Sequence, residues 1–495
     1  MSDTSTDTAN TLLSLKNVGL TYRALPALRR IDWRIFKGQH WAVIGANGAG
    51  KTSIARIVSG QARHTGQLTL DDEVRDSGVN YVCFEQAKAL CERDRKLDTA
   101  EFSADAQDAG TRVIDMLASS GASELEITDL CQRVGIDHIL NRGLRFISTG
   151  EMRKTLLASA ILAKPGLLLL DNPLDGLDKA SQTTLAAIIE ELQTDGMPVI
   201  VFCRQPTDIP TTTTHVLAMS NGEVLASGEA EHVLARPEVA SSLMPPLPEL
   251  EVLPPPFPRS YTLEERAPLL RLRDVAVRYG ELQVLAGVNW TFARGQHCCV
   301  AGPNGCGKTT LLSLITGDNH KAYGQDIELF GVRRGSGESV WDIKQKFGQV
   351  DTQLHLNFAA RMRVIEVVVS GYFDSLGSYD NWGDAQRQGA LEWLNCLGLG
   401  DIANANFDEL SFGLQRMVLL ARAMVKSPAI LLLDEPTLGL DGYHRALILR
   451  AVDHIAAHAD TQVIFVSHSA GEIPQCINQF LHFEPADAGF NVSVH

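Results

Sequence analysis

Short runs of uninterrupted aliphatic residues recur along the chain, and longer stretches of helical periodicity separate them. Cys298 to Ala301, Leu167 to Leu170, Ile430 to Leu433, Val199 to Cys203 and Val463 to Ser467 each read as a strand buried on both faces. The run Leu311 to Ile315 has the pattern of a helix. Buried strands alternating with helices predict an α/β fold with a mostly parallel sheet, and the pattern occurs twice. About a hundred residues in each half interrupt it, rich in helix formers in the first half and in aromatics in the second. That length suits an inserted helical subdomain.

The repeat is also written in the polar positions. Gly302-Pro303-Asn304-Gly305-Cys306-Gly307-Lys308-Thr309, followed by Thr310, is a P-loop between a strand and a helix. Gly45-Ala46-Asn47-Gly48-Ala49-Gly50-Lys51-Thr52, followed by Ser53, is a second. Lys308 lies 257 residues after Lys51; Ser411 and Asp434 lie 263 after Ser148 and Asp171. A register this constant marks a tandem repeat of a whole domain, the second copy carrying about six extra residues after its P-loop. The expected boundaries are a disordered tail over 1–11, a first domain over 12–235, a linker over 236–268, a second domain over 269–484 and a tail over 485–495. The linker holds nine of the 20 prolines and should be extended, without a core of its own.

The P-loops dictate the chemistry. Their glycines let backbone N–H groups wrap a phosphate at a helix N-terminus. Lys51 and Lys308 are placed to reach the β- and γ-phosphates, and Thr52 and Thr309 to hold Mg²⁺. Asp171 and Asp434 end strands and are candidate metal residues; Glu435, after Asp434, is placed to polarise a water. Ser148-Thr149-Gly150 and Ser411-Phe412-Gly413 open helices and offer second anion sites.

P-loop, Ser-x-Gly helix start, Asp-Glu strand end, Gly439-Leu440-Asp441 and His468, in that order, resemble the ATP-binding cassette (ABC) ATPases over nearly the whole chain. The stretches Ser148-Thr149-Gly150-Glu151-Met152-Arg153-Lys154-Thr155, Gly335-Ser336-Gly337-Glu338 to Trp341-Asp342-Ile343-Lys344, and Ser370-Gly371-Tyr372-Phe373-Asp374-Ser375 are similar to the tandem ATPases of the molybdate-transport-associated (ModF) type, also called photorepair proteins. The resemblance implies two cassettes that share two ATP molecules. Each P-loop would face the other cassette's Ser148–Gly150 or Ser411–Gly413 helix start. Tyr22 and Tyr279 would stack on adenine, Gln86 and Gln353 would sense Mg²⁺, and His468 would serve as the switch histidine.

The halves differ. Asn172 stands where the second half has Glu435, and Arg204 where it has His468. A carboxamide cannot take a proton at neutral pH. The expectation is that site one binds and holds ATP while site two, with Glu435 and His468, hydrolyses it. Thr149 and the bulky Phe412 stand where the family usually has glycine.

Composition narrows the partners. A net charge of −15 disfavours nucleic acid as the main partner. Nine cysteines without paired spacing fit reduced thiols, and the 14 histidines show no ligand spacing, so Mg²⁺ is the one metal expected. Neither a membrane span nor a leader is expected from the sequence. These features place the protein in the cytoplasm, at most peripheral at the inner membrane, as a monomer and the ATP-binding component of a transport system. A membrane permease is the implied partner, with Tyr372, Phe373, Tyr379 and Trp382 a candidate docking groove or else core. The alternative is a soluble ABC ATPase acting on the ribosome, nucleic acid or a repair pathway.

Overall fold

The aliphatic runs that end in Asp171 and Asp434 are interior strands of two six-stranded sheets. The computed structural model describes residues 10–22, 25–83, 90, 94, 110–175, 177, 179–264, 267–279, 282–303, 305–351, 362–375, 382–467, 473–486 and 489–495. The chain divides into two units, residues 1–246 and 247–495.

In the first unit the strands are β1 (Thr11–Tyr22), β2 (Leu25–Phe36), β3 (Trp41–Ile44), β4 (Thr65–Leu70), β5 (Val79–Val82), β6 (Leu167–Asp171), β7 (Val199–Cys203), β8 (His215–Ser220) and β9 (Glu223–Glu229). The main sheet runs β5-β6-β7-β3-β8-β9, parallel except for β9. In the second unit they are β10 (Leu270–Tyr279), β11 (Leu282–Phe292), β12 (Cys298–Ala301), β13 (Asp326–Leu329), β14 (Val332–Arg333), β15 (Phe347–Val350), β16 (Ile430–Asp434), β17 (Gln462–Ser467), β18 (Gln479–Ala486) and β19 (Gly489–Val494). Here the main sheet is β15-β16-β17-β12-β18-β19, with β19 antiparallel.

Burial explains the leucine runs. Leu167 and Leu169 enter one core and Leu168 and Leu170 another. In the second unit, Ile430 and Leu432 face one core while Leu431 and Leu433 face the other. A strand covered on both faces has no polar side, so its sequence is aliphatic throughout.

On one side of each main sheet lies an antiparallel sheet, β2-β1-β4 or β11-β10-β13-β14, which the strand–helix alternation did not anticipate. Its signal is weaker because a bulge breaks the period-two pattern of β1 between Leu15 and Val18 and of β10 between Leu272 and Val275. Asn17 and Asp274, at φ 50° in both cases, occupy these bulges. They are residue types that tolerate the left-handed region. Asn17 N–H donates to the Asp32 carboxylate and Asp274 N–H to the Asn289 side-chain oxygen, so the device is repeated with its partners exchanged.

On the other side lie the helices expected between P-loop and Ser-x-Gly: Val113–Ala118 and Glu124–Val134 in the first unit, Val364–Val369 and Asp384–Cys396 in the second. Tyr372, Phe373 and Trp382 pack against this second-unit core; Tyr379 lies outside the described residues.

The proline-rich stretch is seated on its neighbours. Residues Pro237–Leu243 are helical, and Leu247, Leu250 and Leu253 pack on the second unit's core. The Phe257 ring lies 4.6 Å from that of Tyr372. Arg259 donates to the Ser427 and Pro428 carbonyls and pairs with Asp460 at 2.8 Å. The stretch thus borrows a core where none of its own was expected. The last residues, expected as a tail, supply the end of β18 and all of β19.

Among the described residues no helix is long and apolar enough to cross a membrane, and no group of side chains is arranged to hold a metal through His, Cys, Asp and Glu alone. The eight described cysteines are free.

One half-buried group ties the second main sheet to pH. His297, just before β12, accepts a hydrogen bond from the Val463 N–H at Nδ1 (3.1 Å). Burial lowers its pKa from the ordinary value, with Asp453 pulling the other way. A depressed histidine pKa means the unfolded chain binds more protons in acid, so stability falls as pH drops below the ordinary value of about 6.5. The urea midpoint of the second unit is expected to fall from pH 7.5 to 5.5, and less steeply in His297→Gln. Equal slopes in the two proteins would remove His297 from this role.

Candidate functional site

Each P-loop is a sharp turn from a buried strand into a helix. Gly50 (φ 101°) caps Lys51–Val58 and Gly307 (φ 105°) caps Lys308–Thr316. A side chain at either position would strain the backbone and meet Leu28 or Val284 and Leu285. Gly45 and Gly302 are close-packed: a Cβ would come 2.6 Å from the Met219 carbonyl in one and 2.7 Å from Phe483 in the other. Gly48 and Gly305 have positive φ and open space around them.

Lys51 Nζ donates to the carbonyls of Gly45 and Ala46, and Lys308 Nζ to those of Gly302 (2.9 Å) and Pro303 (2.8 Å). Both ammonium groups therefore sit inside their own loops. Burial lowers the Lys308 pKa, against the pull of Cys306, Glu435 and Asp434. Ala49 and Cys306 are buried beneath their loops, where small residues fit. Ala46, Asn47, Pro303, Ser53 and Thr310 are partly exposed along the loops and first helical turns. Asn304 lies outside the described residues.

The sheet order brings the carboxylates alongside. β3 and β6 are separated only by β7, and β12 and β16 only by β17, so Asp171 and Asp434 end strands beside the P-loops. In the first unit Thr52 Oγ1 donates to Asp171 Oδ2 at 2.8 Å. A hydroxyl and a carboxylate side by side at a phosphate loop are the oxygen donors Mg²⁺ takes, so these residues fit that ion. Thr309 is exposed at the matching helix start. Gln86, Gln353 and His468 lie outside the described residues.

Asn172 and Glu435 occupy the same backbone state, φ 48° and φ 51°. Their N–H groups donate to the matching carbonyls of Phe202 and Val466. The sequence alignment of the two is therefore also a structural one. Asn172 donates its amide to Asp171 Oδ1 at 2.5 Å, and its own Oδ1 is buried without a hydrogen-bond partner among the described residues. That oxygen is an acceptor able to hold a water but not to take its proton.

Around Asn172 the first unit has a charge network that the motifs did not reveal. Arg204 Nη1 pairs with Asp175 Oδ2 at 2.7 Å, Arg153 Nη2 approaches the same oxygen at 3.5 Å, and Arg153 Nη1 donates to the Asn172 carbonyl. Burial works against both guanidinium charges. Asp175, with Asp171 and Asp208, outweighs it for Arg204, whose pKa is raised, while for Arg153 burial prevails and the pKa is lowered. Tyr81 also donates to Asp171 Oδ2, at 2.9 Å, and burial, then the Asp171 charge, raises its phenol pKa. No local spacing announces a contact between residues 81 and 171. In the second unit Arg416 takes Arg153's place. It is fully buried, donates to the Asp351 carbonyl, and is held well below the usual arginine range, at about 10, by burial.

Ser148 and Ser411 cap their helices. Ser148 accepts from the Glu151 N–H while the Glu151 carboxylate accepts from the Ser148 N–H, a capping box. Ser411 accepts from the Leu414 N–H, with no acid opposite. Gly150 lies in the first turn of its helix. Gly413 has a packing duty: a Cβ there would lie 2.2 Å from the His444 ring, which Asp441 holds. Phe412 turns its ring against Gly439 and the Arg416 guanidinium, 5.3 Å from the latter.

Tyr22 and Tyr279 end β1 and β10 at matching hairpins, 42% and 44% exposed, which leaves ring surface available for stacking. Lys321 Nζ sits 5.1 Å from the centre of the Tyr279 ring.

Two strand–P-loop–helix turns, each with an acidic strand end at its side, define a tandem P-loop nucleoside triphosphatase. A sequence profile described as ABC transporter matches residues 28–175 and 285–438, so the chain belongs to the ABC transporter family and is an ATP-binding ATPase. The ABC transporter ATP-binding protein ModF of Escherichia coli (strain K12) is 36% identical over 452 residues, 90% of this chain and 92% of that protein. An uncharacterised ABC transporter ATP-binding protein of Schizosaccharomyces pombe is 26% identical over 481 residues, 93% and 95% of the two chains. Among solved structures, the archaeal ribosome recycling factor aABCE1, in complex with the ribosomal stalk protein aP1, matches with a TM-score of 0.58. Its 18% identity, over 97% of this chain and 89% of that one, is a likeness of fold.

Proposed function

We propose that the second unit is the hydrolysing cassette and that the first binds ATP and holds it. The observation that carries this reading is the exchange of Glu435 for Asn172 at one shared backbone geometry. Glu435 would polarise the attacking water, with Asp434 and Thr309 holding Mg²⁺ and Lys308 the phosphates. His468 and Gln353 would complete that site. In the first unit Lys51, Thr52, Asp171 and Gln86 would bind the nucleotide and its metal, with no group to take the proton. Tyr22 and Tyr279 would stack on adenine. Ser148, Gly150, Ser411 and Gly413 would contact phosphate.

Asn172→Glu tests the first unit directly. It is expected to leave steady-state ATPase within about twofold of wild type, because a carboxylate there, beside Asp171 and Asp175, would still meet Arg153 and Arg204 in place of a histidine. It should also lower stability by about 1 kcal/mol, since Glu is less at ease than Asn in the left-handed region. A rise of tenfold or more in phosphate release would mean that the missing carboxylate alone silences the first unit, and would remove Arg153 and Arg204 from that role.

In the cell, the reading favoured by the 36% identity to ModF is the ATP-binding component of a molybdate-associated transport system. It would act in the cytoplasm, peripheral at the inner membrane and docked to a permease. Purification from native cells with ATP trapped tests this. Recovery of a membrane permease supports it; ribosomes or DNA in its place would favour an ABC ATPase outside transport.

A further inference from the structure

Asp171 is the residue a divalent cation would need in the first unit, and three protein donors already surround it. Thr52 and Tyr81 hydroxyls donate to Oδ2 at 2.8 and 2.9 Å, and the Asn172 amide donates to Oδ1. A cation drawing on this carboxylate must share or displace those bonds. The Tyr81 bond belongs to the first unit's sequence: β5 pairs Tyr81 with Leu169, and the matching register of β15 and β16 places Gln349 opposite Leu432.

The surrounding charge is more positive than that of the second unit. Among the described residues Lys51, Arg153 and Arg204 stand against Asp171, Asp175 and Asp208, three cations to three carboxylates. Among the described residues of the second unit Lys308 and Arg416 stand against Asp351, Asp434 and Glu435, two cations to three carboxylates, with Asp434 and Glu435 acting on both cations. A triphosphate carries about four negative charges when metal-free, so the more positive pocket tolerates it better. Arg204 and Arg153 meet on one Asp175 oxygen, which holds both guanidinium groups in place beforehand.

We propose that the first unit binds a nucleoside triphosphate chiefly through its own cations, Lys51, Arg204 and Arg153, and retains it when divalent metal is removed. This rests on the reading of the first unit as a holding site, and it adds the means. Tyr81 acts as a positioning residue that keeps Asp171 engaged with the protein.

The test uses the full chain with one P-loop disabled at a time and a fluorescent ATP analogue as probe. In Lys308→Ala, which reports the first unit, replacing Mg²⁺ by EDTA is expected to weaken binding by no more than about 3-fold. In Lys51→Ala, which reports the second, it should weaken it about 30-fold or more. Adding Arg204→Ala to Lys308→Ala should cost about 10-fold in EDTA, and Arg204→Lys should recover part of it. Adding Tyr81→Phe should lower the Mg²⁺ concentration that half-saturates the effect of metal on probe binding.

Equal sensitivity of the two units to EDTA would overturn the proposal, as would an unchanged Mg²⁺ midpoint in Tyr81→Phe. The holding reading fails separately: nucleotide that leaves the first unit during rapid desalting in the presence of Mg²⁺ refutes retention, whatever the metal dependence.

Discussion

Glu435→Gln is expected to cut steady-state phosphate release by about 10²–10⁴-fold, the usual worth of a positioned proton acceptor. The substitution keeps shape and hydrogen bonding and removes only basicity, so the loss reads the proton transfer itself. If Asn172 carried comparable turnover in the first unit, the variant would retain roughly half of the wild-type rate. Phosphate release under saturating ATP decides between these, and a rate within twofold of wild type would dismiss the division of labour. Nucleotide binding should persist in the variant, because Lys308 and the P-loop glycines are untouched. That separates lost chemistry from lost fold.

Gly413→Ala should destabilise the second unit by about 1–3 kcal/mol, the cost of forcing an extra carbon into a packed interior. Helix propensity alone would favour alanine by about 1 kcal/mol, so the sign of the result is informative. It turns on the 2.2 Å approach of the added carbon to the His444 ring. That ring cannot swing aside cheaply, since Asp441 accepts from both its Nδ1 (2.8 Å) and its backbone N–H (2.9 Å). Adding His444→Ala should return much of the lost urea midpoint. A Gly413→Ala midpoint at or above wild type would mean the helices slide apart readily. Probe binding in the double variant then asks whether Gly413 also serves phosphate, free of the packing effect.

How much the sequence disclosed depends on the distance over which each feature is encoded. The P-loops are contiguous and glycine-bound, so both were legible, as were the Leu and Ile runs that place Asp171 and Asp434 at strand ends. The exchange at Asn172 was legible because tandem copies can be aligned with each other. The antiparallel sheets were missed because their bulges at Asn17 and Asp274 interrupt the alternation that would announce them. The Tyr81–Asp171 bond and the Arg153–Asp175–Arg204 network join distant segments, and only the sheet order brings them together. The seat of the Phe412 ring, against Gly439 and the Arg416 guanidinium, likewise depends on contacts that the motif does not state.

The left-handed backbone at 172 and 435 bears on how such a pair of cassettes ages. An asparagine settles there at little expense, whereas a glutamate is held at φ 51° by its surroundings. Random substitution under selection for heat resistance alone would therefore drift away from the acid in the second unit. An acid at position 435 therefore has to be kept by a demand other than stability, and a copy free of that demand would be expected to settle on asparagine, as at position 172.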